Sequence, residues 1–287
     1  MEAPIVRKAG RVTDNVEDWS GKDRADENFP VGSALIAAHL RPHIHAFYAF
    51  ARNADDIADS PALTPEDKIA RLDVMEAVLS GARDTASPSA LGLRRSLAET
   101  GVTPRHATDL LIAFRRDATK TRYANWGELL DYCRYSAMPV GRHVLDLHGE
   151  ALDTHAPSDA LCAVLQVLNH LQDGSKDLQA LDRCYLPNDL LARFGGAIGD
   201  LRGARESPGL RETFNALLDK CDALNLEAAD LPRRTRSRRL RLETAVIHGL
   251  SCRLAARLRR QDPVAGRVKL TRPDIAGAVL SAMRFLP

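Results

Sequence analysis

The chain has 287 residues, of which 45% are hydrophobic, and its 40 basic and 38 acidic side chains give a formal net charge of +2. This length and composition suit one large globular domain or two ordinary ones, while the balanced charge argues against a nucleic-acid partner or an acidic tail. The five cysteines are odd in number and form no CxxC pair, which argues against a zinc site or a disulfide framework and favours a reducing compartment.

The N-terminal residues 1–26 are polar and charged, without the apolar core of a secretory signal. They predict a loosely ordered segment ahead of a domain over residues 27–287. No stretch of 18 uninterrupted apolar residues occurs in the chain, so no membrane span is predicted. The sequence therefore predicts a cytoplasmic protein, and it leaves the oligomeric state open.

Residues of high helix propensity recur with apolar side chains every three or four positions, and no alternating β-branched run is present. The pattern predicts helices from Pro42 to about Ser60, Thr64 to Leu79, Thr103 to about Lys120, Asn125 to about Leu147 and Pro157 to about Leu181. Further helices are predicted near 210–228, 233–260 and 272–284, with loops or helix junctions at 81–92 and 195–209. Without an internal repeat or a clear linker, these helices predict a single all-α domain.

The first chemical signal is the acidic segment NADDIAD, which directly follows the aromatic segment AFYAFAR. Because each helical residue turns by about 100°, Tyr48, Arg52, Asp55 and Asp59 fall on one stripe, with Asp56 to its side. One interpretation is a solvated helix face with an internal Arg–Asp pair. The other is one half of a binding site, which requires a partner elsewhere in the chain.

A matching pattern occurs in QVLNHLQDGSKD, where Gln166, Asn169, Asp173 and Asp177 share a stripe that continues an apolar stretch. If the two stripes face each other, four carboxylates meet in one cavity, where like charges cannot all remain ionised without compensation. Mg²⁺ supplies that compensation, since it binds a few carboxylates together with waters and substrate phosphates. The two motifs thus predict a Mg²⁺ site for a diphosphate, next to an apolar cavity for a hydrophobic chain.

The segment DYCRYSAMPVG lies between these motifs, and on a helix Tyr132, Ser136, Pro139 and His143 share one face. Pro139 within a helix predicts a kink that frees a carbonyl near Tyr135. The segment is either a strained core helix or a bend that brings a carbonyl, a tyrosine hydroxyl and aromatic groups into the cavity, where they stabilise a carbocation. His143 is interpreted as a structural histidine with satisfied hydrogen bonds.

Two other groups of charges are interpreted as surface features. The basic run RRTRSRRLR predicts a solvated helix face, with attraction to anionic lipid headgroups as the alternative. That alternative would place the protein at the inner face of a membrane. Asp109, Arg115, Arg116 and Asp117 are interpreted as surface charges of another helix.

The segments FYAFARNADDIAD, DYCRYSAMPVG, LQVLNHLQDGSKDLQALDRCYLP and RVKL together resemble the squalene/phytoene synthase family over about residues 27–275. The segments ENFPVGS, NHLQDGSKD and LDRCYLP are similar to its bacterial hopanoid-pathway branch, the hydroxysqualene synthases. The resemblance implies an all-α isoprenoid synthase bundle around a central apolar cavity. It also implies a prenyl diphosphate substrate and Mg²⁺ as the cofactor.

The resemblance further implies roles for individual residues. The metal ligands would be Asp55, Asp59, Asn169, Asp173 and Asp177, and these aspartates would be catalytic together with Tyr132, which would face the reacting carbons. The substrate would contact Phe29, Tyr48, Arg52, Gln166, Asn169, Tyr185 and Arg267. Within that group, Arg52 would bind the diphosphate directly, while Tyr185 and Arg267 would close the diphosphate end.

Three departures from the family pattern narrow the predicted reaction. Asn28 precedes Phe29 where many relatives have serine, Gln172 precedes Asp173 where they have arginine, and Lys176 replaces an acidic residue. Because an arginine and an acid are lost from a site that elsewhere handles two diphosphates, the departures favour conversion of presqualene diphosphate to hydroxysqualene. In this reaction the diphosphate ionises with Mg²⁺, the cyclopropylcarbinyl cation rearranges and water captures it. The alternatives are full condensation of two farnesyl or geranylgeranyl diphosphates to squalene or phytoene, and a non-catalytic assembly factor.

Overall fold

The computed structural model describes residues 15–17 and 36–285, and within them the regular secondary structure is helical, with no β-strand. The helices are α1 (Arg41–Asp59), α2 (Pro65–Ser80), α3 (Pro88–Thr100), α4 (Arg105–Asp117), α5 (Trp126–Ser136), α6 (Met138–Leu147), α7 (His155–Leu181), α8 (Asn188–Phe194), α9 (Pro208–Ala228), α10 (Leu231–Arg234), α11 (Arg238–Leu258) and α12 (Arg272–Ala282). This architecture confirms the predicted all-α class. Phe29 and most of the segment predicted to be loosely ordered lie outside the described residues.

The three described residues of the N-terminal segment pack on the loop between α2 and α3. Val16 is buried, and its N–H donates to the Ala86 carbonyl at 2.9 Å. The Glu17 carboxylate accepts a hydrogen bond from the Ser89 hydroxyl at 2.6 Å. Residues 15–17 therefore pack on the domain.

Polar caps mark several helix starts. Thr64 caps α2 and Asn125 caps α5, each accepting the N–H three residues further on, and both lie at helix starts that the sequence predicted. Helix α3 lies partly where only a loop or junction was predicted, and the short α8 was not predicted. The overlooked signal for α3 is Ser87 followed by Pro88, since the serine caps the helix and proline suits its first turn.

The helix predicted to carry a kink at Pro139 is two helices, so that prediction is wrong. Ala137 leaves helical geometry, at φ −126° and ψ −47°, between the end of α5 and the start of α6. Pro139 then lies in the first turn of α6, where its missing N–H breaks no helical hydrogen bond. Tyr132 and His143 consequently belong to separate helices.

Helices α1 and α7 carry the two acidic stripes and bury apolar side chains in the core. On α1, Phe50, Ala54 and Ile57 are buried against α2, α3 and α4. Helix α7 packs against α5, α6, α9 and α11, and buries Val164 and Leu168. Since each large apolar side chain contributes about 1.5–3 kcal/mol when buried, this packing fixes the rotation of both helices and hence the direction of the aspartates.

Gly141 lets α6 approach α7 closely. A Cβ at this position would clash with Ser158 Oγ and would lie 2.6 Å from Cys162 Sγ, both on α7. We expect Gly141→Ala to lower the free energy of unfolding, measured by chemical denaturation, by about 1–3 kcal/mol, because an overpacked core must shift its backbone or rotamers. Adding Ser158→Ala and Cys162→Ala removes both clashing atoms and should recover most of the loss. A loss that persists in this triple variant would contradict the steric explanation.

The basic run RRTRSRRLR spans the end of α10, a turn and the start of α11, so the prediction of one continuous helix face is wrong. Thr235 in its middle is buried, and Arg241 Nε donates to the Thr235 carbonyl at 2.9 Å. Arg233, Arg236 and Arg239 are exposed. Among the described helices, none combines the length and the hydropathy that a bilayer crossing requires.

Candidate active site

The stripes of α1 and α7 meet in a cavity of about 470 Å³, which we call the acidic cavity. All four carboxylates of the two aspartate pairs line it, and the other predicted residues on its wall are Arg52, Tyr132, Gln166, Asn169, Tyr185 and Arg267. The wall is completed by residues that were not predicted as site residues: Asp117, His170, Lys176, Leu181 and Arg183. Four helices and the segments that follow α7 and α11 thus contribute to one polar chamber.

Two predicted arginines pair with carboxylates of the chamber. Arg52 contacts Asp56 at 2.6 Å and Asp55 at 3.1 Å, all within α1. Arg267 makes a two-pronged contact with Asp173, with N–O distances of 2.8 and 2.9 Å. Because the guanidinium group is planar and permanently charged, these arginines also suit the oxygens of a diphosphate.

Arg183 is a third cation in the acidic cavity, and sequence reasoning missed it. Its side chain is 6% exposed and donates to Asp59 at 2.9 Å, to the Tyr185 hydroxyl at 3.2 Å and to the Asp117 carbonyl at 3.0 Å. It directly follows Asp182, whose left-handed φ of 48° ends α7. The segment LDRCYLP contained this arginine, but only its tertiary contacts identify it as part of the site.

Asp117 is buried beside the cavity, so its interpretation as a surface charge is wrong. Its side chain is 4% exposed, with one oxygen 3.8 Å from Arg183 Nε, and it accepts a hydrogen bond from the Tyr132 hydroxyl at 2.8 Å. Burial raises the pKa of Asp117 to about 7, although Arg183 and the Tyr132 hydrogen bond act in the opposite direction. Arg115 and Arg116, by contrast, form ion pairs with exposed carboxylates, as predicted.

The raised pKa of Asp117 predicts a pH-dependent stability. The folded protein keeps this proton up to about pH 7, whereas the unfolded chain loses it near the ordinary pKa of 3.8. The folded state binds more protons between these values, so the free energy of unfolding should fall as the pH rises through them, by up to about 1.4 kcal/mol per unit. Denaturant titrations across this range should give a flatter slope for Asp117→Asn. An identical slope in the variant would contradict the assignment.

Four rings pack together beside the acidic cavity: Tyr123, Tyr132, His170 and Tyr185. His170 stacks on Tyr185 with ring centroids 3.4 Å apart, and burial lowers the pKa of His170 to about 3, so the imidazole is neutral. The Tyr132 and Tyr185 centroids are 5.5 Å apart. These aromatic faces suit the stabilisation of a carbocation.

A second cavity of about 490 Å³, the apolar cavity, adjoins the first. The residues that line both cavities are Arg52, Asp55, Tyr132, Gln166 and Asn169. Beyond them the lining is largely apolar and includes Phe47, Phe114, Val144, Leu161, Leu165, Leu231, Leu240 and Ile247. Tyr48, a predicted substrate contact, lines only this second cavity. A hydrocarbon chain therefore has space directly next to the polar chamber.

His143 lines the apolar cavity, and its interpretation as a histidine with satisfied hydrogen bonds is wrong. Neither ring nitrogen has a hydrogen-bond partner within the described residues, although the residue is only 1% exposed. Burial and the neighbouring His106 lower the pKa of His143 to about 3. Ser136 lines the same cavity, whereas Pro139 is buried and is not part of its wall.

The two departures within the second acidic motif lie in different environments. Gln172 is buried away from the acidic cavity, and its amide donates to the Val268 carbonyl at 2.5 Å. It therefore holds the chain next to Arg267 and is not one of the side chains that line the cavity. Lys176 is exposed and does line the cavity.

The carboxylates are crowded in a way that suits shared cations. Burial and Asp59 raise the pKa of Asp55, and burial with Asp173 and Asp59 raises the pKa of Asp177 to about 6. Carboxylate oxygens and the amide oxygen of Asn169 are donors that Mg²⁺ prefers. Among residues 15–17 and 36–285, no three His, Cys, Asp or Glu side chains are grouped closely enough to hold a metal ion alone. Oxygen donors of this kind fit an ion such as Mg²⁺, which takes its remaining ligands from water and diphosphate oxygens.

The helical architecture matches a solved squalene synthase from Alicyclobacillus acidocaldarius with a TM-score of 0.73 and 33% identity, over 85% of this chain and 92% of that one. Fold and site together define an all-α isoprenoid synthase. A sequence model of the squalene/phytoene synthase family matches residues 22–274, and the chain belongs to that family.

Two curated relatives are similar over most of their length. A hydroxysqualene synthase of Rhodopseudomonas palustris is 47% identical over 95% of this chain and 93% of its own. A hydroxysqualene synthase of Sinorhizobium fredii is 46% identical over 86% of this chain and 84% of its own. The family resemblance predicted from the sequence is thereby confirmed.

Proposed function

We propose that the chain is a hydroxysqualene synthase, which converts presqualene diphosphate and water to hydroxysqualene and inorganic diphosphate. The observation that carries this proposal is the junction of the acidic cavity with the apolar cavity through shared lining residues. Such a junction suits a substrate with a diphosphate at one end of a long hydrocarbon. The names of the relatives at 46% and 47% identity support this reaction over other prenyl diphosphate chemistry.

Mg²⁺ belongs to the proposal as the cofactor. Asp55, Asp59, Asp173 and Asp177 would hold it, with Asn169 as a further oxygen donor. When bound, the ion neutralises the diphosphate and makes it a better leaving group. The raised pKa of Asp177 supports this assignment, because a divalent cation stabilises the charged form of a crowded carboxylate.

The protein's own groups bind and orient the substrate. Arg52, Arg183 and Arg267 place cations in the acidic cavity, where diphosphate oxygens would accept their hydrogen bonds. The C–O bond to the diphosphate breaks with its electron pair on oxygen, and the cation rearranges next to Tyr132, which lines both cavities. The neutral ring of His170 and its tyrosine neighbours offer π density to this cation. Water then adds to the cation, and its proton passes to the released diphosphate.

Product analysis with the purified protein tests the proposal. With Mg²⁺ and presqualene diphosphate, mass spectrometry should detect hydroxysqualene, and a chelator should abolish its formation. Farnesyl or geranylgeranyl diphosphate alone should give no condensed product. Turnover of farnesyl diphosphate without added presqualene diphosphate would favour the full condensation, and a hydrocarbon as the sole product would contradict the proposed reaction.

Contact with a membrane surface is a further part of the proposal, because the substrate and product are both long hydrocarbons. The exposed arginines of the basic run supply charge that anionic lipid headgroups attract. Vesicles containing anionic lipid should sediment the protein at low salt and release it at high salt. Equal sedimentation with neutral vesicles would count against an electrostatic contact.

A further inference from the structure

Ser136 and His143 are polar side chains on the wall of a cavity that is largely apolar. Ser136 Oγ and both ring nitrogens of His143 are buried atoms without a hydrogen-bond partner among the described residues. In native proteins the great majority of buried polar groups pair with protein or with ordered water. Since no described protein group pairs with these atoms, a water molecule is the partner that would satisfy them.

One face of the His143 ring is covered by stacking. Phe47 covers the face of the imidazole, with centroids 3.9 Å apart and an interplanar angle of 11°. Both nitrogens lie at the edge of the ring, which this stacking leaves uncovered. A neutral imidazole offers one donor and one acceptor, and a water molecule satisfies either of them.

We infer that Ser136 and His143 hold the water molecule that captures the carbocation, an inference that rests on the proposed function. A water in a cavity of this kind needs two or more polar partners to remain bound, and these residues supply a hydroxyl and an imidazole. The water oxygen forms the new C–O bond to the rearranged cation. The water proton passes to the released diphosphate, which left earlier with the electron pair of the broken C–O bond.

The presence of this bound water determines whether the product is an alcohol or a hydrocarbon. A cation without a nucleophile next to it loses a proton from carbon and becomes a hydrocarbon, whereas a cation next to a bound water becomes an alcohol. Ser136 and His143 are thus product-determining residues that position the water, while ionisation depends on the acidic cavity. Changes at these positions should alter the product ratio more than the consumption of substrate.

Thr244 provides a matched control on the same wall. Like Ser136 it contributes a hydroxyl to the apolar cavity, but the Thr244 hydroxyl already donates to the Arg241 carbonyl at 3.0 Å. Thr244→Val therefore removes a lining hydroxyl without removing an atom that needs a water. It separates the loss of a water-binding group from a general fall in the polarity of the cavity.

The test uses the full chain with Mg²⁺ and presqualene diphosphate, and measures substrate consumption and the alcohol-to-hydrocarbon ratio by mass spectrometry. Ser136→Ala and His143→Phe, which keeps an aromatic ring against Phe47, should each lower the ratio about fivefold, the effect of one lost hydrogen bond. Consumption should fall less than the ratio does. His143→Gln keeps a donor and an acceptor and should retain most of the alcohol, and Thr244→Val should leave the ratio unchanged. The wild-type alcohol should carry ¹⁸O when the reaction runs in labelled water.

An unchanged ratio in both Ser136→Ala and His143→Phe would overturn the inference, as would an equal fall in Thr244→Val or an alcohol without the label. Circular dichroism identifies a variant that fails to fold. If His143→Phe fails to fold, the alcohol-to-hydrocarbon ratio of Ser136→Ala, which is a smaller substitution, tests the inference by itself. A wild-type protein that consumes no presqualene diphosphate would instead overturn the proposed function, and this inference with it.

Discussion

Asp177→Asn should lower kcat/KM for presqualene diphosphate by about 10³-fold, which is about 4 kcal/mol of lost transition-state stabilisation. The metal-free variant should be at least as stable as the metal-free wild-type protein. The expected stability of the Asp177→Asn variant has a different cause from its loss of activity. Burial, Asp173 and Asp59 raise the pKa of Asp177 to about 6, so near neutral pH the folded protein holds this carboxylate in an unfavourable charged form. An amide of the same shape carries no charge and removes that destabilisation.

Steady-state kinetics and thermal denaturation with and without Mg²⁺ separate the two effects. Mg²⁺ should raise the melting temperature of the wild-type protein, and the increase should be smaller in Asp177→Asn. Asp131→Asn is the matched control, since Asp131 is 48% exposed, pairs with Arg116 at 2.7 Å and lies outside both cavities. It should keep its activity and its response to Mg²⁺. A fully active Asp177→Asn protein would contradict the role proposed for this aspartate.

The two acidic stripes could be predicted because helix geometry is local. Residues four positions apart share a face in any fold, so the pairing of Asp55 with Asp59 and of Asp173 with Asp177 follows from spacing alone. The apolar segments beside each stripe also indicated that these helices pack in a core. Spacing could not indicate Tyr185, which lies beyond the end of α7, and only the family resemblance implied its role.

The remaining site residues depend on tertiary packing. Asp117 ends α4 among charges typical of a solvated helix end, and only its contact with Arg183 reveals its burial. His143 fell on a predicted stripe, but no sequence pattern states whether a buried ring finds hydrogen-bond partners. Gln172 and Lys176 lie four positions apart on the same side of α7, yet only Lys176 lines the cavity, so helix geometry alone could not distinguish their environments.

Above pH 7, where the Asp117 carboxylate is ionised, Arg183→Met should lower the free energy of unfolding by about 3 kcal/mol, because removal of one partner from a buried ion pair leaves the other charge uncompensated. Burial opposes the charge on Arg183, but Tyr185, Asp117 and Asp59 raise its pKa above the ordinary value, so it is a permanent cation. Asp59 is 29% exposed and water screens it in part, whereas the Asp117 side chain is 4% exposed. Most of the loss should therefore come from Asp117, and denaturant titration measures the total.

The double variant Arg183→Met with Asp117→Asn tests this cause. If the uncompensated carboxylate is responsible, the second substitution should restore at least about half of the lost stability, since the asparagine stays neutral and still accepts from the Tyr132 hydroxyl. Arg183→Lys should restore little, because one ammonium group cannot match the fork that reaches Asp59, Tyr185 and the Asp117 carbonyl together. Additive losses in the double variant would point instead to packing of the arginine stem. Recovery would identify Arg183 as the counter-ion that holds the acidic cavity together before Mg²⁺ binds.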